Sequence, residues 1–119
     1  MRQAGILAAA GIYALEHNVD RLVEDHSSAR VLAGEIDAIP GLCCGPERLA
    51  QPVETNMVFV DVTGLGRDGP TVARDLLERG LAVSVYGPTT IRLVTNRMVS
   101  GVDVEAAVGI IERYVTETQ

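Results

Sequence analysis

Hydrophobic and polar positions change rhythm several times along this chain, and each change marks an element. From Gln3 to His17 the chain is an almost unbroken run of alanine, glycine and aliphatic residues. Alanine is the best helix former, while a glycine costs about 1 kcal/mol in a helix interior. The run predicts a helix that is apolar on every side and therefore needs cover. Gly5 and Gly11 suit such a helix where another segment comes close. From Val19 the pattern becomes one-sided. Leu22, Val23, Ala29, Leu32, Ala33, Ile36 and Ile39 share a helical face, with Arg21, Glu24, Asp25, Arg30, Glu35 and Asp37 opposite or flanking. Asn18 is expected to turn the chain and cap this second helix, and Pro40-Gly41 to end it.

Leu42 to Pro52 is irregular, with room for a short edge strand near Cys43. Asn56 to Val62 is β-branched and aromatic, a strand. A loop from Gly64 to Gly69 leads into a helix opened by Pro70 and closed by Gly80, with Val72, Ala73, Leu76 and Leu77 inward. Ala82 to Tyr86 and Thr90 to Thr95 read as strands joined at Gly87-Pro88 into an antiparallel hairpin. Ser100 and Asp103 have capping-box spacing. The last helix then carries Val104, Ala107, Val108, Ile111 and Tyr114 on one face. The order predicts an α+β fold, a small and mainly antiparallel sheet with helices packed on it. Its strand-helix-strand unit adds a parallel pair only if those two strands are neighbours.

Composition narrows the function. The 119 residues suffice for one domain with a real core. Aromatic content is 3% with no Trp, so Val, Leu, Ile and Ala must build that core. A net charge of −6 argues against nucleic acid and anionic membrane as partners. All ten basic residues are arginine, which removes Schiff-base, P-loop and general-base lysines from this chain. The adjacent Cys43 and Cys44 are poorly placed for a mutual disulfide and lack zinc-ligand spacing, so a reducing, cytoplasmic setting is expected. Arg2 followed by an apolar run and Ala8-Ala9-Ala10 resembles part of a secretory signal. The run is glycine-broken and continues into a helical pattern, and it is too short to span a bilayer.

Candidate chemistry is sparse. Gly64-Leu65-Gly66-Arg67-Asp68-Gly69 satisfies G-x-G-x-x-G between a strand and a helix. The acid that would hold ribose hydroxyls at the end of the next strand is missing, since Tyr86 and Gly87 stand there. A packing loop and a small nucleotide-binding module both remain open. His17 and His26 have no metal-ligand spacing. Ser27 and Ser28 have no placed base, and Glu16, Glu24 and Asp25 read as solvated faces. Arg92 differs, because alternation sets it opposite Ile91 and Leu93 in mid-strand. There it either covers the sheet with its stem or aims a planar fork at an anion, a carboxylate above all.

Taken together, several stretches resemble one family. The opening Met1-Arg2-Gln3-Ala4-Gly5-Ile6-Leu7-Ala8-Ala9-Ala10-Gly11, then Asn18-Val19-Asp20-Arg21-Leu22 with Glu24-Asp25-His26, is similar to the low-specificity threonine aldolases. So are Thr55 to Val62 and Ile91-Arg92-Leu93-Val94-Thr95. The resemblance runs in order over nearly the whole chain and covers only the C-terminal part of such an enzyme. It implies the small domain of a pyridoxal-phosphate enzyme of the aspartate-aminotransferase-like fold, acting on threonine or allo-threonine. Residues 1–17 would be a helix connecting from a large domain outside this chain, and residues 18–119 the small domain. The cofactor's lysine would sit on that large domain, so this chain alone is expected to be inactive. The resemblance gives Arg92 the substrate α-carboxylate and Arg2 a place near the cofactor phosphate and the subunit boundary. It implies a large-domain partner chain, an amino-acid substrate and a homo-oligomer. Asn96 stands where the family commonly has histidine. The rival to this lyase role is a non-catalytic remnant that oligomerises through the first helix.

Overall fold

The computed structural model describes residues 2–45 and 53–118. Its helices are α1 (Gly5–His17), α2 (Leu22–Asp37), α3 (Gly69–Glu78) and α4 (Gly101–Thr118), and its strands are β1 (Met57–Asp61), β2 (Ser84–Gly87) and β3 (Thr90–Val94). The strands form one antiparallel sheet in the order β1-β3-β2. The strand-helix-strand unit therefore does share a sheet, but β3 lies between its two strands and no directly paired parallel ladder forms. The expected α+β class holds.

The core lies on one face of the sheet. Val58 and Val60 of β1 and Ile91 and Leu93 of β3 join Leu32 and Ile36 of α2, Val72 and Leu76 of α3, and Val104, Val108 and Ile111 of α4 in one buried cluster. Each such side chain contributes about 1.5–3 kcal/mol relative to exposure. By alternation, Met57, Phe59, Arg92 and Val94 stand on the sheet's other face, where Phe59 pairs with Arg92 and Met57 with Val94. Ser84 of β2 flanks Arg92 on the opposite side.

Element ends follow local chemistry. The predicted start of α1 at Gln3 is two residues early, because Gln3 has φ 57° and a left-handed residue cannot continue a right-handed helix. Asn18 closes α1, its backbone N–H bonding to Ala14, and does not cap α2, which starts at Leu22 without a side-chain cap. Asp68 caps α3 by accepting from the Thr71 N–H, and Gly80 follows that helix at φ +90°. The Ser100–Asp103 capping box is present: Ser100 N–H donates to the Asp103 carboxylate at 2.8 Å and Asp103 N–H to the Ser100 hydroxyl at 3.3 Å. The edge strand expected near Cys43 is a single antiparallel bridge to Asp61. The rest of that irregular stretch, residues 46–52, lies outside the described residues.

The first helix stands apart. No residue of α1 is buried; Ile6 is 85% and Leu15 73% exposed. A Cβ added at Gly5 or Gly11 would meet nothing within 4 Å. The radius of gyration is 16.3 Å, against about 13.5 Å for a compact domain of this length. The sequence asks for cover on every side of this helix, and the described residues supply none.

Candidate functional site

Arg92 occupies the middle of the central strand. It is half-buried, its Nε is closed off from solvent, and its guanidinium makes no hydrogen bond or ion pair among the described residues. A buried donor without an acceptor costs about 1–3 kcal/mol, so such a group marks a place where an acceptor is missing. Beside it opens a pocket of about 290 Å³ whose wall includes Leu81, Val83, Ser84, Thr95 and Asp103. Phe59, facing Arg92 across the β1–β3 ladder, meets the Tyr86 ring edge-on with centroids 4.7 Å apart. Arg92 thus lies between an aromatic pair and a partly apolar pocket, with its fork unclaimed.

Just beyond Arg92 the strand is tied down from two sides. Thr95, 1% exposed, donates its hydroxyl to the Asp25 backbone carbonyl at 2.7 Å. Its N–H donates to the Asn56 carbonyl at 2.9 Å, and the Asn56 side chain donates to the Thr95 carbonyl at 2.7 Å. Asp25 is itself buried, and Arg21 holds its carboxylate with two hydrogen bonds, Nη2 to Oδ1 at 3.0 Å and Nη1 to Oδ2 at 3.2 Å. The expectation that Asp25 belongs to a solvated face is wrong. An Arg-Asp pair four residues apart reads as surface charge. The buried stripe Asp25, Ala29, Leu32, Ile36 carried the missed signal, because Asp25 is in phase with it.

The glycine loop is used by the fold. A Cβ at Gly64 would lie 2.6 Å from the Gly41 carbonyl oxygen, and one at Gly69 would lie 2.9 Å from that of Gly87. Gly66 has φ +65°. Each glycine answers to this chain's own backbone. The Asp68 carboxylate, held below the usual range by its hydrogen bonds to Thr71, also sits at the start of α3. That is where a phosphate would have to bind, and like charges repel.

The remaining candidates are separate from Arg92. Arg2 is exposed ahead of α1 and is not part of the Arg92 pocket. His17 is exposed, stacked on Tyr13 with ring centroids 4.2 Å apart. Burial, then Asp37 and Cys43, pushes the Cys44 thiol up to about 12, so it is a poor nucleophile. Asn96 accepts the Met98 N–H at 2.8 Å and closes the turn that leads to α4. Among the described residues no cluster of three or more His, Cys, Asp or Glu could hold a metal ion, and no helix is long and apolar enough to cross a membrane.

Comparison with known proteins decides the family. The beta-eliminating lyase family profile matches residues 1–64, more than half of the 119. The chain belongs to the beta-eliminating lyase family. Over 114 residues it is 36% identical to a probable low-specificity L-threonine aldolase 2 of Arabidopsis thaliana, covering 95% of this chain and 31% of that protein. Over 100 residues it is 39% identical to the low specificity L-threonine aldolase of Escherichia coli (strain K12), covering 84% and 27%. This lyase-family chain therefore spans about three tenths of the length of these curated relatives. Its small α+β fold is consistent with the small domain of such enzymes.

Proposed function

We propose that this chain is the substrate-recognition domain of a pyridoxal-phosphate-dependent threonine aldolase, which cleaves threonine or allo-threonine to glycine and acetaldehyde. Within it, Arg92 grips the substrate α-carboxylate. One observation supports this above the rest: Arg92 is half-buried, with a closed-off Nε and no acceptor for its guanidinium among the described residues. A guanidinium offers parallel N–H donors that match the two oxygens of a carboxylate. Fixing that end of an amino acid leaves its amine and side chain to be oriented by the rest of the site.

The residues of this chain do not form the cofactor site by themselves. There is no lysine to carry pyridoxal phosphate covalently. Arg2 is the one residue given a place near its phosphate, and it stands exposed ahead of α1. When bound, the cofactor supplies the electron sink for the carbon–carbon bond that breaks. The division of labour is then clear: recognition from this chain, electron withdrawal from another part of the enzyme. The bare α1 is covered by that other part, or by a second copy when the chain is alone.

The test is Arg92→Ala in the complete enzyme that carries this chain. Two charge-assisted hydrogen bonds of about 1.5 kcal/mol each predict a loss of kcat/KM of about 100-fold. Arg92→Lys should recover only part, since it keeps the charge and loses the fork. An Arg92→Ala enzyme with unchanged kcat/KM would refute the proposal. Mixed alone with pyridoxal phosphate, the chain should show neither a change in the cofactor's absorbance nor threonine cleavage.

A further inference from the structure

The carboxylate reading leaves open what holds Arg92 still. An arginine paired to a carboxylate is placed by that bond, as Arg21 is by Asp25. Among the described residues Arg92 has no such partner, so its position rests on the strand that carries it. That strand is unequally supported. β2 pairs with β3 only at Thr90, Ile91 and Arg92, while β1 pairs along its whole length from Thr90 to Val94. Arg92 is therefore the last residue held on both sides, and beyond it the β2 side of the strand is free of ladder hydrogen bonds.

Thr95 is where that loss is made good. Its main chain is clasped by Asn56 on the β1 side, N–H to carbonyl at 2.9 Å and Asn56 amide to Thr95 carbonyl at 2.7 Å. Its hydroxyl reaches the Asp25 carbonyl in the first turn of α2 at 2.7 Å. The two ends of that bond are 70 residues apart in sequence. Asp25 is itself fixed, its buried carboxylate forked by Arg21. Resting on the carboxylate reading, we propose that Thr95 is a positioning residue for Arg92. Its hydroxyl fastens the end of β3 to the Arg21–Asp25 turn of α2 and so sets the reach of the Arg92 fork into the substrate site.

A residue that only stabilised the fold would change melting temperature and active fraction but leave KM alone. In the complete enzyme, Thr95→Val keeps the shape and removes the donor. A displacement of a fraction of an ångström at Arg92 should then raise the KM for threonine about five- to tenfold, with kcat within about twofold. Thr95→Ser, which restores the hydroxyl, should return KM to within about twofold of the parent. If Thr95→Val fails to fold, Asn56→Ser at its half-buried position loosens the same clasp and should raise KM in the same sense. Unchanged KM in the folded variants, with only a lowered melting temperature, overturns the proposal. Arg92→Ala in the same series keeps the two readings apart. If it leaves KM unchanged, the carboxylate reading fails; if it raises KM while the Thr95 and Asn56 variants do not, only the positioning role fails.

Discussion

Two places in this molecule use arginine in opposite ways. Around Tyr114 the arginines are fully engaged. Arg67 and Arg74 both bond Asp75, at 3.2 and 2.9 Å, and Arg79 bonds Glu117 at 2.9 Å. The Arg79 and Arg67 guanidinium carbons lie 5.2 and 6.0 Å from the Tyr114 ring centre, so two cations flank a buried aromatic ring. On the central strand the Arg92 guanidinium has no partner among the described residues. The other arginines without partners among the described residues, Arg2, Arg30, Arg97 and Arg113, are exposed, where water serves them. In a chain whose positive charge is all arginine, residue type cannot point to the site. A partner withheld in a half-buried place can.

The contrast can be broken from the structural side first. Tyr114 is 1% exposed, and Tyr114→Ala should cost about 3–5 kcal/mol of stability by opening a core cavity. In molecules that remain folded it should leave the KM of the complete enzyme unchanged, as urea titration beside steady-state kinetics would show. A KM shift there would mean that the cluster also recognises substrate. Asp75→Ala should cost less, about 1–2 kcal/mol, because the arginines it leaves behind are 36% and 65% exposed and water can serve them. Its loss should shrink in high salt.

The buried thiol gives a pH test of the same core. Cys44 has its thiol raised from 9.0 to about 12. Unfolding thus releases a proton across that window, so the contribution is intact below pH 9 and fades as pH rises toward 12. Thiol labelling at pH 8 should be slow in the folded chain and fast in urea. The smallest effect is expected on α1. Leu7→Glu and Leu15→Glu together should move the stability of the isolated domain by no more than about 0.5 kcal/mol per site, since both positions are exposed. The same pair should abolish the self-association proposed for the isolated chain, with sedimentation as the readout. A large stability loss would show that α1 packs on its own domain.

Legibility followed how local each signal was. The capping box at Ser100, the alternation that turns Arg92 away from Ile91 and Leu93, and the α4 stripe are set by neighbours within four residues, and they were readable. Strand order was not, because nothing in β1 or β2 alone says that β3 lies between them. Asp25 was misread for a similar reason. Its backbone carbonyl takes the hydroxyl of Thr95, far along the chain, while its local signal is that of a surface ion pair. The glycine motif shows the converse. Its spacing matches a dinucleotide loop, yet Gly64 is needed because Gly41 crosses it, a contact no motif encodes. For α1 the sequence states a need for cover that these residues leave unmet. The family match gives that need its context, since the relatives are more than three times as long as the matched segment.

If Arg92 reads a carboxylate, a pair of inhibitors differing only in that group will reveal it. In the complete enzyme, inhibition by glycine should be much tighter than by glycinamide, which lacks the negative charge. In Arg92→Ala that preference should collapse to near unity, through weakened glycine binding with little change for glycinamide. A preference for glycine that survives intact in Arg92→Ala would assign carboxylate recognition to another residue.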